Sequence, residues 1–514
     1  MSKRNVRQLE EEILIDELEY TKIAKQGKTA SSKKTKNKKE KKEKKEKKEK
    51  NHEIMAFTYL FVLLFLGMMG YICHFAVTNE QELINNSYNA RQGMLLAQNR
   101  RGSIYAKDGT VLAETKTAED GTETRVYPYE NLFAHAVGYS TNGKMGVEAL
   151  ANYYLINTNE PIAKKVSADM AGTKYAGDSV YTTLDVELQE VAYNALGVYK
   201  GAIVVTEPST GKVLAMVSKP DFNPNNIADM WDTLVADEGS SVLLNRVTQG
   251  MYPPGSTFKI VTALEYIREN PDSYSSYYYN CTGSYQSGED RINCYHGTSH
   301  GSLNFKESFA KSCNASFANI GLSLNTTSFN KTLKDLLFNS ELPLKSTYSQ
   351  SKVTVEENMP NADMMQVSIG QGTTQISPMH LNMITCAIAN NGKLMKPYII
   401  DRVENSEGSV IKQFNDSAYG NLMTEKEAQA LTELMTEVVK TGTGKKLSGL
   451  SYTAAGKTGS AEYNSVKGDS HAWFTGFAPA ENPQICVTII VEGAGSGGDF
   501  AVPIAKRIFD AYLE

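Results

Sequence analysis

A serine three residues ahead of a lysine at a helix start is a nucleophile with a base one turn away. In MYPPGSTFKIVTALEYI, Pro253, Pro254 and Gly255 stop any preceding element and an apolar helix follows, so Ser256 stands at a helix N-terminus. Free backbone N–H groups and the positive end of the helix dipole there favour developing negative charge. Lys259 lies on the same face, over the same turn. A serine hydroxyl is a poor nucleophile until a base takes its proton, and a lysine can be that base if burial keeps it neutral. The string alone carries little weight. Ser-x-x-Lys begins at Ser31, Ser209, Ser256, Ser308, Ser328, Ser349 and Ser409, and only Ser256 combines a helix start with a following apolar helix. Taken singly, Ser256 also suits a plain N-cap.

Two further strings could complete such a site. In FAKSCNASFANIGL, Ser312 and Asn314 fall between two helical stretches, 56 residues beyond Ser256. A hydroxyl and an amide at that corner can relay a proton and hold a substrate amide, although the same residues suit an ordinary turn. In YTAAGKTGSAEY, the small residues before Lys457 and the HAWFTGFAP that follows predict the edge of an antiparallel sheet. There Lys457 would supply a fixed positive charge, Thr458 and Ser460 two hydroxyls for a carboxylate, and Gly459 room for a substrate backbone. A second Lys-Thr-Gly, at Lys440, ends the helical EKEAQALTELMTEVVK and reads as its stop. Gly456-Lys457-Thr458 also resembles the close of a phosphate-binding loop, but that loop needs glycine where Ser451 stands, so a nucleotide reading fails.

The elements that must position these groups are legible in outline. RGSIYAKDGTVLAET predicts a hairpin about Asp108-Gly109, and residues 79–176 as a whole hold short strand-like runs. From Thr182 the texture changes. LDVELQEVAYNALG predicts an amphipathic helix, and GAIVVTEPSTGKVLAMVS two strands joined by a turn. Helices follow around 259–269, 305–322 and 425–440, then strands 452–463, 471–479 and 484–493 and a last helix near 500–513. Strand pairs, a helical middle, then three strands and a helix make an α+β pattern.

Charge and hydropathy place the ends of the chain. Residues 1–53 carry 18 Lys/Arg and 11 Asp/Glu, a net of +7, whereas the remainder of the 514 residues carries 35 and 47, a net of −12. A basic head on an acidic body argues against a nucleic-acid binder. Leu9, Ile13, Leu14, Leu18 and Ile23 recur at roughly helical spacing, and residues 38–50, KKEKKEKKEKKEK, predict a solvated rod or coil. Residues 54–77 are almost unbroken apolar sequence without Lys, Arg, Asp or Glu, which predicts an uncleaved transmembrane anchor. The lysine excess precedes it, so the N-terminus is expected in the cytoplasm and everything after residue 78 outside. Six cysteines without a Cys-x-x-Cys exclude a disulfide scaffold and the usual zinc spacings. His296 and His300 are four apart but flanked by glycines that disfavour a helical metal pair, so no metal is expected. Cys281 and Cys294 could form an extracytoplasmic disulfide or stay reduced.

The ordered set PPGSTFK, Ser312-Cys313-Asn314 and GKTGSAE, spaced by 56 and then 145 residues, resembles the three active-site motifs of the penicillin-binding proteins. The flanks TTLDVELQ, GAIVVTEPSTGKVLAMVSKPDFNPN, SIGQGTTQISPMHLNMITCAIANNGKLMKPYI and AWFTGFAP resemble that family too. RGSIYAKDGTVLA, with Arg101 and Gly102, resembles the first motif of its class B members, and GKMGVEA, with Glu148, a later one. RVYPYENLFAHAVGY resembles the shorter penicillin-binding protein A type. The likeness runs from about residue 99 to the C-terminus, with Cys313 and Ser460 as mild departures.

The resemblance implies a β-lactamase/transpeptidase-like domain at 177–514, a β-rich membrane-proximal module of pedestal or dimerisation type at 79–176, an anchor at 54–77 and a tail at 1–53. It further implies a peptidoglycan D,D-transpeptidase without cofactor, acylated by stem peptides and by β-lactams at Ser256. Lys259 would be the acylation base, Ser312 the proton shuttle and Asn314 the group that orients Lys259 and substrate. Lys457, Thr458 and Ser460 would bind the terminal carboxylate, and the backbone N–H groups of Ser256 and Ser460 would form the oxyanion hole. A SEDS-family membrane glycosyltransferase, of the RodA/FtsW type, is the implied partner. The rival activities are a D,D-carboxypeptidase or a β-lactam-binding scaffold or sensor.

Overall fold

The computed structural model describes residues 33–85, 91–237, 239, 241–463 and 469–514. The apolar spacing at Leu9 to Ile23 lies outside them. By its internal contacts the chain divides into two units, Met1–Leu83 and Ile84–Glu514.

One continuous helix begins at Lys33 in the first unit and ends at Asn85. The lysine–glutamate repeat is therefore helical rather than coil. Its three-residue period sets Glu and Lys four apart, as in Glu40 and Lys44, a spacing at which opposite charges support a helix. The helix holds a stretch, within Lys39–Phe75, long and apolar enough to cross a membrane, with a mean hydropathy of 2.0.

The second unit is organised by a five-stranded antiparallel sheet. Its strand order is Ala455–Glu462, Ser470–Ala478, Ile485–Val491, Gly201–Thr206 and Val213–Lys219. The strand Ile485–Val491 is buried along its whole length, so both faces of the sheet are covered. Alternation divides it: Ile485, Val487, Ile489 and Val491 face the helices Val186–Leu196 and Ala501–Leu513, whereas Cys486 and Ile490 face the other side. On that other side lies the helix Pro378–Ala389, buried at every position. Its start is defined by Ser377, whose hydroxyl accepts from the His380 N–H, and by Pro378 in the first turn. Each fully buried Val, Ile or Leu in these layers contributes about 1.5–3 kcal/mol. A polar seam fixes the register between helix and sheet. Thr475 bridges Thr385 and Thr488 at 2.7 Å each, and Thr206 donates to Asn382 at 2.7 Å.

A second, six-stranded sheet runs Val410–Gln413, Ile400–Glu404, Ser179–Thr182, Ile104–Tyr105, Val111–Thr117 and Glu123–Val126. The expected hairpin is present, with Gly109 at φ +88° and the Asp108 carboxylate accepting from the Thr110 N–H at 3.0 Å. Two strands from far along the chain complete this sheet. The predicted helix 305–322 is broken into Phe305–Ala310 and Asn314–Ser323. Ser312 sits in the break at φ +54°, which no α-helix accommodates.

Candidate active site

The three strings converge at the Ala455–Glu462 edge of the five-stranded sheet. Ser256 lies in a 3₁₀ turn, Gly255–Phe258, that feeds directly into the helix Lys259–Glu269. Trp473 Nε1 donates to the Pro253 carbonyl at 3.1 Å, which ties the turn to the sheet, and Thr257 Oγ1 donates to the Pro254 carbonyl at 2.8 Å within the turn. Gly255 has φ +53°, and a Cβ there would lie 2.8 Å from the Ser460 carbonyl oxygen.

Lys259 is fully buried, and its Nζ lies 3.1 Å from Ser256 Oγ, 2.7 Å from the Ser312 carbonyl, 3.2 Å from Ser312 Oγ and 2.7 Å from Asn314 Oδ1. The carbonyl and the amide oxygen can only accept, so they take two N–H bonds. In the neutral amine the remaining lone pair is then free for a hydroxyl proton. Burial pushes Lys259 down from its ordinary 10.5 to about 8, with the neighbouring Cys313 and Cys294 opposing the shift. Lys457, also fully buried, donates to Ser312 Oγ at 2.9 Å and to the Thr458 carbonyl at 3.0 Å. Burial, reinforced by the charge of Lys259, holds it well below the ordinary lysine range. The Ser312 hydroxyl thus joins the two amines, and Lys259 joins it to the Ser256 hydroxyl. A cleft of about 330 Å³ opens on Ser256, Ser312, Asn314, Thr458 and Ser460. The outer edge of the Ala455–Glu462 strand, beside which no strand lies among the described residues, borders this site.

Residues 201–510 match the penicillin-binding protein transpeptidase domain, and residues 101–180 match the penicillin-binding protein A dimerisation domain. The chain belongs to the penicillin-binding protein transpeptidase family. Peptidoglycan D,D-transpeptidase PbpA of Mycolicibacterium smegmatis is 29% identical over 445 residues, covering 80% of this chain and 89% of the relative. Peptidoglycan D,D-transpeptidase MrdA of Acinetobacter baumannii is 29% identical over 450 residues, covering 76% of this chain and 66% of the relative. The structure of penicillin-binding protein A from M. tuberculosis as an imipenem acyl-enzyme complex superposes with a TM-score of 0.74 at 26% identity, covering 81% of this chain and 99% of that one. The D,D-transpeptidase domain of a peptidoglycan glycosyltransferase from Eggerthella lenta gives 0.73 at 28% identity, covering 81% and 98%.

Within this penicillin-binding protein, further residues border the predicted site residues. Gly459 also lies close against the protein itself: a Cβ there would lie 3.0 Å from both the Pro254 carbonyl oxygen and Thr257 Cγ2, so the Ser256 turn would have to give by a few tenths of an ångström. Thr443, just past the helix stop at Lys440–Gly442, shares a 2.5 Å hydrogen bond with Thr458 and lines the cleft. Sequence reasoning passed over it because a helix C-terminus accounted for the segment. Lys445 and Lys446 also line the cleft; Lys446 is paired with Asp499 of the same wall at 2.9 Å, so Lys445 carries the added positive charge. Gly370, in the SIGQG string, has φ +73°, and its backbone abuts Gly255 so closely that a Cβ would lie 2.2 Å from the Gly255 carbonyl oxygen.

Beside the strands of residues 104–126, the structure brings Arg101 and Glu148 into a cluster in which Glu148 is fully buried and the Arg101 and Arg125 side chains are nearly so. Arg101 Nε donates to Glu148 Oε2 at 2.7 Å, Arg125 Nε to Oε1 at 2.7 Å and Tyr127 Oη to Oε1 at 3.1 Å. Burial alone would raise the Glu148 carboxyl, but Arg101 and Arg125 outweigh it and hold the group below its ordinary value. Gly102 has no room for a side chain, since a Cβ would lie 1.9 Å from the Asp178 carbonyl oxygen. Arg125 opens the RVYPYENLFAHAVGY string, and nothing in that string marks it as a partner of Glu148.

Proposed function

We propose that this protein is a peptidoglycan D,D-transpeptidase that works through a Ser256 acyl-enzyme and is acylated by β-lactams. The observation that carries the reading is the contact set of one buried amine: Lys259 Nζ reaches Ser256 Oγ, Ser312 Oγ and Asn314 Oδ1 together. Ser256 Oγ attacks the penultimate D-Ala carbonyl of a stem pentapeptide as neutral Lys259 takes its proton. The backbone N–H groups of Ser256 and Ser460 hold the developing oxyanion. Ser312 passes a proton from the Lys259–Lys457 pair to the departing D-Ala amine, the C–N bond breaks and the acyl-enzyme remains. The acceptor amine of a neighbouring strand attacks that ester, and the same groups run in reverse. Thr458 and Ser460 bind the terminal carboxylate, whose negative charge favours the protonated form of Lys457 and offsets the burial that disfavours it. The donor peptide adds along the open edge of the Ala455–Glu462 strand, which lets main-chain hydrogen bonds set its register.

The apolar helix anchors the chain in the membrane with its N-terminus in the cytoplasm and the catalytic domain, residues 177–514, outside. Residues 79–176, with Arg101, Gly102 and Glu148 at their core, form a pedestal module, and a SEDS-family glycosyltransferase supplies the glycan strands to be cross-linked. The test is to label the full-length protein with a fluorescent penicillin and follow the adduct by gel and intact mass, beside Ser256→Ala. A lasting adduct absent from the variant supports the reading. Rapid loss of label with penicillin hydrolysis makes the protein a β-lactamase instead, and no adduct on folded protein leaves it a scaffold.

A further inference from the structure

Beside the cleft, four side chains from four separate segments turn their ligand-capable atoms to one point. Cys281 ends the strand Tyr278–Cys281, Cys294 follows the strand Asp290–Asn293, His300 precedes the strand Gly301–Asn304, and Cys313 caps the helix Asn314–Ser323. Their sulfur and ring-nitrogen atoms all lie within 4.8 Å of one another. The Cys281 and Cys294 sulfurs are 3.6 Å apart, those of Cys294 and Cys313 3.7 Å, and His300 Nδ1 is 3.5 Å from Cys281 Sγ. The three cysteines are buried. Each sulfur also accepts a backbone N–H: from Gly283 at 3.4 Å, Ala315 at 3.5 Å and Ser316 at 3.4 Å.

These distances fit a bound cation. With Zn–S near 2.3 Å and Zn–N near 2.0 Å, the edges of a zinc-centred tetrahedron are about 3.8 Å between sulfurs and about 3.5 Å between sulfur and nitrogen. Small buried thiols packed as apolar groups account for the burial. They account neither for an imidazole nitrogen aimed among them nor for an N–H directed at every sulfur, which suits thiolates. Three thiolates and one imidazole select a soft, tetrahedral divalent ion.

We propose that Cys281, Cys294, His300 and Cys313 form a structural Zn²⁺ site. On binding, each coordinating thiol releases its proton to solvent, and four protein ligands leave the metal no open position. The metal therefore positions rather than reacts. Cys313 stands between Ser312 and Asn314, and Asn293, beside Cys294, accepts from Asn314 Nδ2 at 3.0 Å. A metal joining Cys294 to Cys313 holds both ends of that contact, and with it the Asn314 oxygen that accepts from Lys259. It also clamps the corner in which Ser312 adopts φ +54°. The inference deepens the reading of the Ser312–Asn314 corner, yet its metal readout is independent of transpeptidation.

The test uses the full-length protein purified in detergent, with reductant and without chelator. Plasma mass spectrometry should find one Zn²⁺ per chain, and Cys281→Ser/Cys294→Ser should lose it. Replacement by Co²⁺ in the wild-type chain should give sulfur-to-cobalt charge-transfer bands, which decides the ligand set even if the variant does not fold. Chelator treatment should slow penicillin acylation at least tenfold, with recovery on adding Zn²⁺. Metal-free protein with freely titrating thiols overturns the proposal. So does an intact mass lower by two hydrogens with a Cys281–Cys294 disulfide peptide, or zinc retained by the double variant.

Discussion

Lys259→Met separates the chemistry of the buried amine from its effect on stability. Holding Lys259 at about 8 rather than 10.5 means that its charged form costs about 3 kcal/mol in the folded protein near neutrality. Methionine removes that cost while filling much of the same volume. It leaves the Ser312 carbonyl and Asn314 Oδ1 without their donor, a loss of about 1–3 kcal/mol each. The terms nearly cancel, so the variant should fold with stability within about 2 kcal/mol of wild type at pH 7. Its acylation rate should fall about 10²–10⁴-fold, the usual worth of a general base. The wild-type rate should rise roughly tenfold per pH unit up to about 8 and then level, because only the neutral amine accepts the Ser256 proton. The stability dependence has the same origin. The depressed folded value means the unfolded chain holds the proton between about 8 and 10.5 while the native chain does not, so wild-type stability rises with pH across that window. Lys259→Met should lack this rise. The assay pairs fluorescent-penicillin acylation over about pH 6–10 with thermal melting of the same samples. A variant acylated within tenfold of wild type, or a wild-type rate flat from about pH 6 to 8, would refute the assignment of the base.

Glu148→Gln leaves Arg101 and Arg125 buried against a neutral amide, and chemical denaturation should record a loss of about 3–5 kcal/mol while penicillin acylation of the folded protein is unchanged. In wild type the Glu148 contribution is present above the unfolded carboxyl value and is lost as pH falls through its lower folded value, so acid should narrow the gap between the two proteins. At Ser312, φ +54° favours glycine, so Ser312→Gly should melt above Ser312→Ala by an amount equivalent to about 1 kcal/mol. Both should acylate about 10²-fold more slowly, because the hydroxyl that joins the two lysines is gone from each.

What the sequence conveyed depended on how local the determinant was. Ser256 and Lys259 are one helical turn apart, and Pro253–Gly255 announce that turn, so their contact follows from spacing. The meeting of Ser312 and Lys457, 145 residues apart, is tertiary, and motif order rather than physics selected them. The helix Pro378–Ala389 carries no amphipathic stripe because it is covered on every side, so periodicity could not find it. The strands Ile400–Glu404 and Val410–Gln413 join a sheet begun 300 residues earlier, a pairing that no local pattern announces. The cysteine and histidine cluster draws its atoms from four strand and helix ends, so a search for Cys-x-x-Cys passes over it. Of the two histidines four residues apart, only His300 belongs to the cluster.

The most direct measurement offers the full-length protein a thioester mimic of the stem-peptide donor with and without a D-amino acid acceptor, and maps the acyl group by peptide mass spectrometry. An acyl group is expected on the peptide that contains Ser256, together with an amide product that grows with acceptor concentration at the expense of hydrolysis. Hydrolysis alone, indifferent to acceptor, would make the protein a carboxypeptidase, and an acyl group found elsewhere would contradict the assignment of Ser256.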